Sequence, residues 1–221
     1  MITDERIVAY INSLDKGNTT FLNEIEEEAL RTRIPIIRRE MQSLLKLLLA
    51  MNRPTSILEV GTAIGFSALL MSEYAPKVCR ITTIEKYEKR IPIAKSNFAK
   101  AQKEDVITLL EGDATDILQQ LVSEKLKSDA VGYDFIFMDA AKGQYLNFLP
   151  DVLQLLNTGG LLVTDNVLQD GDIIESRFAV TRRNRTIHAR MRDYLYELMN
   201  SELLTTSILP IGDGVTVSVK K

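Results

Sequence analysis

The chain has 221 residues, 45% of them hydrophobic and 26% charged, with a net charge of −3. That is enough apolar material for one globular domain with a sizeable core, and it sets aside wholesale disorder. The negative balance sets aside a protein that coats nucleic acid non-specifically, so any contact with phosphates must be local.

The N-terminal stretch "MITDERIVAYINSLDKG" is acidic and amphipathic. It lacks the basic-then-apolar order of a signal peptide. No apolar run approaches the roughly 20 residues of a membrane span, so a soluble, cytoplasmic protein with no membrane partner is expected. Residues 1–53 have helical spacing in "ERIVAYINSL", in "NEIEEEALRTRI" and, after an interruption at Pro35, in "RREMQSLLKLLLAMN". From residue 54 the pattern changes. The strand candidates "SILEVG", "RITTIE", "VITLLEG", "YDFIFMD" and "GGLLVTDNV" alternate with the amphipathic stretches "GFSALLMSEYA", "EKRIPIAKSNFAKAQ", "TDILQQLVSEKL" and "YLNFLPDVLQLL". Such alternation predicts parallel βαβ units with right-handed crossovers and a sheet buried on both faces. Residues 168–186 are polar and Arg-rich, and a minimal unit does not need them. The end, "LLTTSILPIGDGVTVSVKK", reads as two strands around a Gly212-Asp213-Gly214 turn, a hairpin. One α/β domain is expected, with a helical extension over 1–53 and a core over 54–221.

In an open α/β sheet, ligands bind at the carboxyl ends of the strands. The first strand there leads into "ILEVGTAIGFS", with Glu59, Gly61, Gly65 and Ser67. The loop is not the G-x-G-x-x-G of a dinucleotide site and lacks the Lys-Ser/Thr of a P-loop. An acid ahead of it would repel phosphate and suit a cationic ligand. The second strand ends in Glu85, suited to ribose hydroxyls, and the third in "EGDAT", which puts Asp113 and Ala114 where an adenine can sit. Singly, these residues read as turn glycines and a helix-start acid. In series they describe a ligand with ribose, adenine and positive charge but no phosphate, and S-adenosylmethionine fits.

His188 is the only histidine and Cys79 the only cysteine. Ser-His-Asp or Cys-His chemistry, multi-histidine zinc and internal disulfides therefore have little room, and the lone cysteine fits a reducing compartment. What remains is carboxylate, amide and amine. Asp139 ends the fourth strand, Lys142 follows it, and Asp165-Asn166 end the fifth. Two carboxylates and an amide oxygen make a hard oxygen set for Mg²⁺, Mn²⁺ or Ca²⁺. Read alone, Asp165-Asn166 is a turn pair and Lys142 a solvent-facing lysine at a helix start.

The combination of "IPIIRREMQSLL", "ILEVGTAIGFS", "ITTIE", "EGDA", "FIFMDAAK", "LLVTDNVL" and "LPIGDGVTVSVKK" covers nearly the whole chain. It resembles the cation-dependent S-adenosylmethionine O-methyltransferases, the group containing catechol and caffeoyl-coenzyme-A O-methyltransferases. The resemblance implies a Rossmann-like class I methyltransferase fold: a mostly parallel seven-stranded sheet, an antiparallel C-terminal hairpin and an N-terminal helical extension. It implies that Asp139, Asp165 and Asn166 bind the divalent cation, Mg²⁺ before Mn²⁺ or Ca²⁺. Met41, Glu59, Gly61, Ser67, Glu85, Ala114 and Asp139 would line the cofactor pocket, with Asp113 beside them. Lys142 falls where catechol-type enzymes carry their general base, which makes Lys142 and Asp139 the catalytic candidates.

Chelation calls for a substrate with two adjacent oxygens, either a catechol or a 5-hydroxyuridine. The segment "RFAVTRRNRTIHARMR" carries Arg177, Arg182, Arg183, Arg185, Arg190 and Arg192 with no acid. Arginines near the substrate mouth can hold RNA phosphates and stack on unpaired bases. They also fit a solvated helix face opposite an apolar stripe of Ile187, Met191, Tyr194, Leu195 and Leu198. The segment resembles that of bacterial tRNA 5-hydroxyuridine methyltransferases, which make 5-methoxyuridine in the anticodon loop. The expectation is therefore a tRNA substrate held by Arg182, Arg183 and Arg185. The alternatives are a small catechol or hydroxycinnamoyl-type phenol, and a non-catalytic cofactor-binding protein on the same fold. "LLKLLLAM" is more apolar than one covering helix needs, and relatives with this extension pair, so a homodimer is expected.

Overall fold

A computed structural model describes residues 3–128, 131–176, 178–182 and 184–221. The helical extension forms α1 (Glu5–Leu14), α2 (Thr20–Thr32) and α3 (Arg39–Asn52). The core then alternates β1 (Ser56–Val60), α4 (Phe66–Tyr74), β2 (Arg80–Glu85), α5 (Ile91–Lys100), β3 (Ile107–Glu111), α6 (Ala114–Ser128), β4 (Tyr133–Met138), α7 (Tyr145–Leu155) and β5 (Leu156–Thr164). It closes with α8 (Arg185–Asn200), β6 (Leu204–Leu209) and β7 (Val215–Lys220).

The strands make one seven-stranded sheet in the order β3-β2-β1-β4-β5-β7-β6. The first five are parallel, and β7 runs antiparallel between β5 and β6. The strand order reverses between β1 and β4, and a crevice opens outside the strand ends at such a point. Alternation along β4 shows why the sheet is covered on both sides. Phe135 and Phe137 enter one apolar cluster with α2–α5, while Ile136 and Met138 enter the other with α6–α8. All four are fully buried, so helices must cover both faces.

Two parts of the extension differ in status. Leu22, Ile25, Leu45 and Leu49 of α2 and α3 are core residues, so these helices are part of the domain. α1 buries none of its residues and leaves Ile7, Tyr10, Ile11 and Leu14 exposed. As the sequence predicts, Pro35 stands in the link between α2 and α3. At the other end, β5 begins at Leu156, ahead of the expected Gly159. α7 runs directly into it, and the register with β4 slips between Tyr133↔Leu156 and Phe135↔Leu161. Gly159, at φ +78°, lies within the slipped stretch, and glycine accepts that conformation without strain. Lys142 opens a short 3₁₀ turn, Lys142–Gln144, ahead of α7.

Gly61 sits at the switch point with φ +108°, where an added Cβ would lie 2.1 Å from the carbonyl oxygen of Asp139. Gly17 also has a positive φ (+78°) but nothing within 4 Å. Gly61→Ala is expected to cost on the order of 3 kcal/mol, against about 1 kcal/mol for Gly17→Ala. Urea unfolding tests this, and equal midpoints for the two variants would refute the close approach of β1 and β4.

Candidate functional site

A cavity of about 1060 Å³ lies at the switch point. Its floor is the ends of β1, β2, β4 and β5. One wall is the Pro35–Arg38 link before α3, and another includes Lys142, Gln144 and Phe148. Among the sequence-predicted residues, Met41, Gly61, Glu85, Asp113, Ala114, Asp139, Lys142, Asp165 and Asn166 line it. Ser67 borders a small adjoining cleft shared with Gly61 and Asp139.

Glu59 lies outside the lining. It is fully buried one layer back, and its carboxylate accepts hydroxyl hydrogen bonds from Ser67 and Thr83. Thr83 and Thr62 share a further hydroxyl contact of 2.6 Å. Burial pushes the Glu59 carboxyl up to about 7, with Ser67 and Thr83 opposing the shift. Its visible role is to tie the β1–α4 loop to β2.

Glu85 is clamped by backbone. One oxygen accepts the Lys86 and Tyr87 N–H groups at 2.9 and 2.8 Å, and the other accepts the Ala63 N–H at 2.8 Å. A carboxylate has roughly four acceptor sites, so capacity remains for a ribose hydroxyl from the cavity. Asp113 caps α6 through the Thr115 N–H and pairs with Lys86 at 3.1 Å, and these contacts hold its carboxyl below the usual range.

Asp139 and Asp165 are brought together by strand pairing. The Asp139 N–H donates to Val60 (3.0 Å) and the Asp165 N–H to Met138 (3.1 Å), which extends the ladder past the strand ends. The Asn166 amide nitrogen donates to Asp139 at 3.0 Å. Asn166 itself is left-handed, at φ 63°, an uncommon state for a side chain other than glycine. Burial is the main cause raising both carboxyls. The Asp139 charge adds to the shift of Asp165, which reaches about 7, while the Lys142 ammonium pulls both back. Among the described residues, no group of three or more His, Cys, Asp or Glu side chains is arranged to hold a metal. The candidate set is two carboxylates and an amide. Adjacent carboxylates withdrawn from water, Asp165 buried and Asp139 half-buried, fit a divalent cation with oxygen preference.

In the arginine segment, none of the described arginines, Arg182, Arg185, Arg190 and Arg192, is in the cavity lining. Arg182 is exposed, and the Arg185 guanidinium sits 5.9 Å over the exposed Phe178 ring. Arg177 and Arg183 fall outside the described residues. Met191, Tyr194 and Leu198 are buried, with Ile187 and Leu195 half-buried, so the apolar stripe of α8 packs inward and Arg190 and Arg192 stay outside. Arg190 donates to the Gly143 carbonyl at 2.9 Å, next to Lys142.

Three residues are absent from the sequence reading. Arg38, in the wall, ion-pairs with Asp213 in the hairpin turn and, at 3.1 Å, with Asp170. Arg90 lines the cavity near Asp139. Tyr145 is fully buried with its hydroxyl between the strand-end loops. Arg38 and Tyr145 both lie inside quoted motifs, but only the fold shows what they reach.

An O-methyltransferase family model matches residues 12–221. The caffeoyl-CoA O-methyltransferase 5 of Nicotiana tabacum is 33% identical over 182 residues, 78% of this chain and 72% of that protein. The catechol O-methyltransferase of Niastella koreensis is 36% identical over 131 residues, 59% of this chain and 58% of that protein. Among solved structures, the SAH-bound methyltransferase of Podospora anserina is 27% identical with a TM-score of 0.85, covering 98% of this chain and 94% of that one.

Glu59 makes stability pH-dependent. Below 4.5, its ordinary value, it is protonated folded or unfolded and costs nothing. Between there and about 7 the folded chain keeps a proton that the unfolded chain has released, so stability falls as pH rises. The full cost, on the order of 3 kcal/mol, is present above that window. Glu59→Gln is expected to match the parent at pH 4 and exceed its stability at pH 8. Parallel pH profiles in thermal unfolding would count against this.

Proposed function

We propose, for a chain that belongs to the O-methyltransferase family, that its substrate is a small phenol with two adjacent oxygens, of catechol or hydroxycinnamoyl type. Members of the family transfer methyl from S-adenosylmethionine to oxygen, and this chain is such an enzyme. The observation that carries the reading is the pair of carboxylates, the buried Asp165 and the half-buried Asp139, on a cavity shared with Lys142.

When bound, S-adenosylmethionine would supply a methyl on positive sulfur to the attacking phenolate oxygen, the S–CH₃ electron pair staying on sulfur as S-adenosylhomocysteine leaves, with oxygen, methyl carbon and sulfur in line. Glu85 would hold the ribose, Asp113 and Ala114 would border the adenine, and Gly61 leaves room along the loop. Asp139, Asp165 and Asn166 would hold a divalent cation, Mg²⁺ first. That cation would supply charge that favours loss of a phenolic proton and orients both oxygens. Lys142, once its own proton has left, would accept the phenolic proton at Nζ, and the Pro35–Arg38 wall with Phe148 would exclude water. Alignment of nucleophile and methyl is the chain's main contribution.

A second reading, tRNA bearing 5-hydroxyuridine, rests on the exposed Arg182, Arg190 and Arg192 with Phe178. It has weaker support, because none of these residues lines the cavity and the relatives above carry small-molecule names. The cytoplasm suits the single cysteine under either reading. Among the described residues no helix is long and apolar enough to cross a membrane. A homodimer is proposed through the outward apolar face of α1 with Leu47 and Met51 of α3.

The deciding experiment offers catechol, caffeoyl-type phenols and 5-hydroxyuridine tRNA with S-adenosylmethionine and Mg²⁺. Catechol turnover that EDTA abolishes is expected. Asp165→Ala should remove it, Lys142→Met should lower kcat by roughly 10²–10⁴, and Arg182→Ala/Arg185→Ala should leave it unchanged. Methylation of the tRNA alone, lost in the arginine variant, would replace the phenol reading with the second. For assembly, Ile11→Asp/Leu14→Asp should halve the mass seen by light scattering. A parent chain that is already monomeric would end the dimer proposal.

A further inference from the structure

The Tyr145 hydroxyl occupies the gap where the sheet stops. The last backbone rung between β4 and β5 is Asp165 N–H to Met138 carbonyl, at 3.1 Å. Beyond it, the Tyr145 hydroxyl accepts from the Ala140 N–H at 3.2 Å and donates to the Asp165 carbonyl at 3.3 Å. Ala140 directly follows Asp139, so one side-chain oxygen joins the backbone of both carboxylate-bearing loops. Tyr145 is fully buried and lies outside the cavity lining, so it has no surface to offer a substrate. Its ring meets that of Tyr194 edge-on, with centroids 5.6 Å apart, and the Tyr194 hydroxyl is in turn bonded to Thr164 at 2.7 Å. The phenol is therefore fixed from below while it bridges above.

We propose that Tyr145 is a positioning residue whose hydroxyl sets the separation of Asp139 and Asp165, and through it the affinity of the site for a divalent cation. The inference rests on the cation reading of that site. A backbone shift at either loop moves the carboxylate it carries, and oxygen cages hold their cation within narrow distances. Groups that orient ligands without touching the metal typically matter 10–100-fold in affinity. Tyr194 gives an internal comparison. It is equally buried and shares the ring contact, but its hydroxyl reaches the side chain of Thr164, the last residue of β5, and bridges neither loop's backbone as Tyr145 does.

The test is Mn²⁺ binding to the full chain, read by electron paramagnetic resonance without substrate, in the parent, Tyr145→Phe and Tyr194→Phe. Phenylalanine keeps both rings, and circular dichroism checks the fold. The expected result is Mn²⁺ affinity weakened roughly tenfold or more in Tyr145→Phe and near the parent value in Tyr194→Phe. Equal affinity in the parent and Tyr145→Phe, or equal losses in both variants, would overturn the positioning role while leaving the cation site standing. A parent chain that binds no Mn²⁺ would overturn the cation reading itself, and this inference with it.

Discussion

Everything at the site depends on the pairing of β4 with β5. Met138 stands opposite Thr164 in the parallel register, so the next residues, Asp139 and Asp165, emerge side by side. Neither chose an acidic neighbour by local preference. The sheet delivers them together at one edge, partly out of water, and burial raises both carboxyls. The fold thus keeps in place an unfavourable arrangement of charge, a common mark of a functional site. Lys142 and Arg90 relieve part of the cost, and a bound cation would relieve more.

The same edge explains why the loops around it are tightly tied. Gly61 passes so close to Asp139 that no side chain fits. Glu59, Thr83 and Thr62 lock the first loop to β2 from behind. Arg38 joins the helical extension to the hairpin turn at Asp213 and to Asp170. Burial and the contact with Asp170 push the Asp213 carboxyl up to about 6. These contacts place the Pro35–Arg38 wall over the cavity, which makes the extension part of the site and not an appendage. α1 alone stands outside that scheme, with its apolar side uncovered in the single chain.

The residues sort by distance from the reaction. Asp139, Asp165, Asn166, Glu85 and Lys142 face the cavity. Arg190 and Tyr145 act on those that do, Arg190 through the Gly143 carbonyl beside Lys142 and Tyr145 through both strand-end loops, while Glu59 one layer back holds Ser67 and Thr83. Arg190 and Arg192 lie on the outer face of α8, whose inner stripe is core, and Arg182 is exposed ahead of it. Their sequence clustering follows from helical periodicity as readily as from a need for phosphate.

The sequence by itself determined the alternation of strands and helices, the closing hairpin, the break at Pro35 and the residues at each strand end. Period and turn chemistry are local, and strand ends in a parallel sheet lie on a common edge whatever the loops do. It also carried the family, because several motifs had to recur in order along the whole chain. Only the tertiary structure decided which charged residues meet the cavity. Glu59 is one layer behind it because inward and outward positions depend on packing between layers. Arg185 is not in the cavity lining because the placement of α8 depends on what its stripe buries against, and the exposed Arg182 just ahead of α8 is not in the lining either. Tyr145 reads as an ordinary helix start, since the two groups it joins are five residues before it and twenty after it, and folding alone brings them to one oxygen.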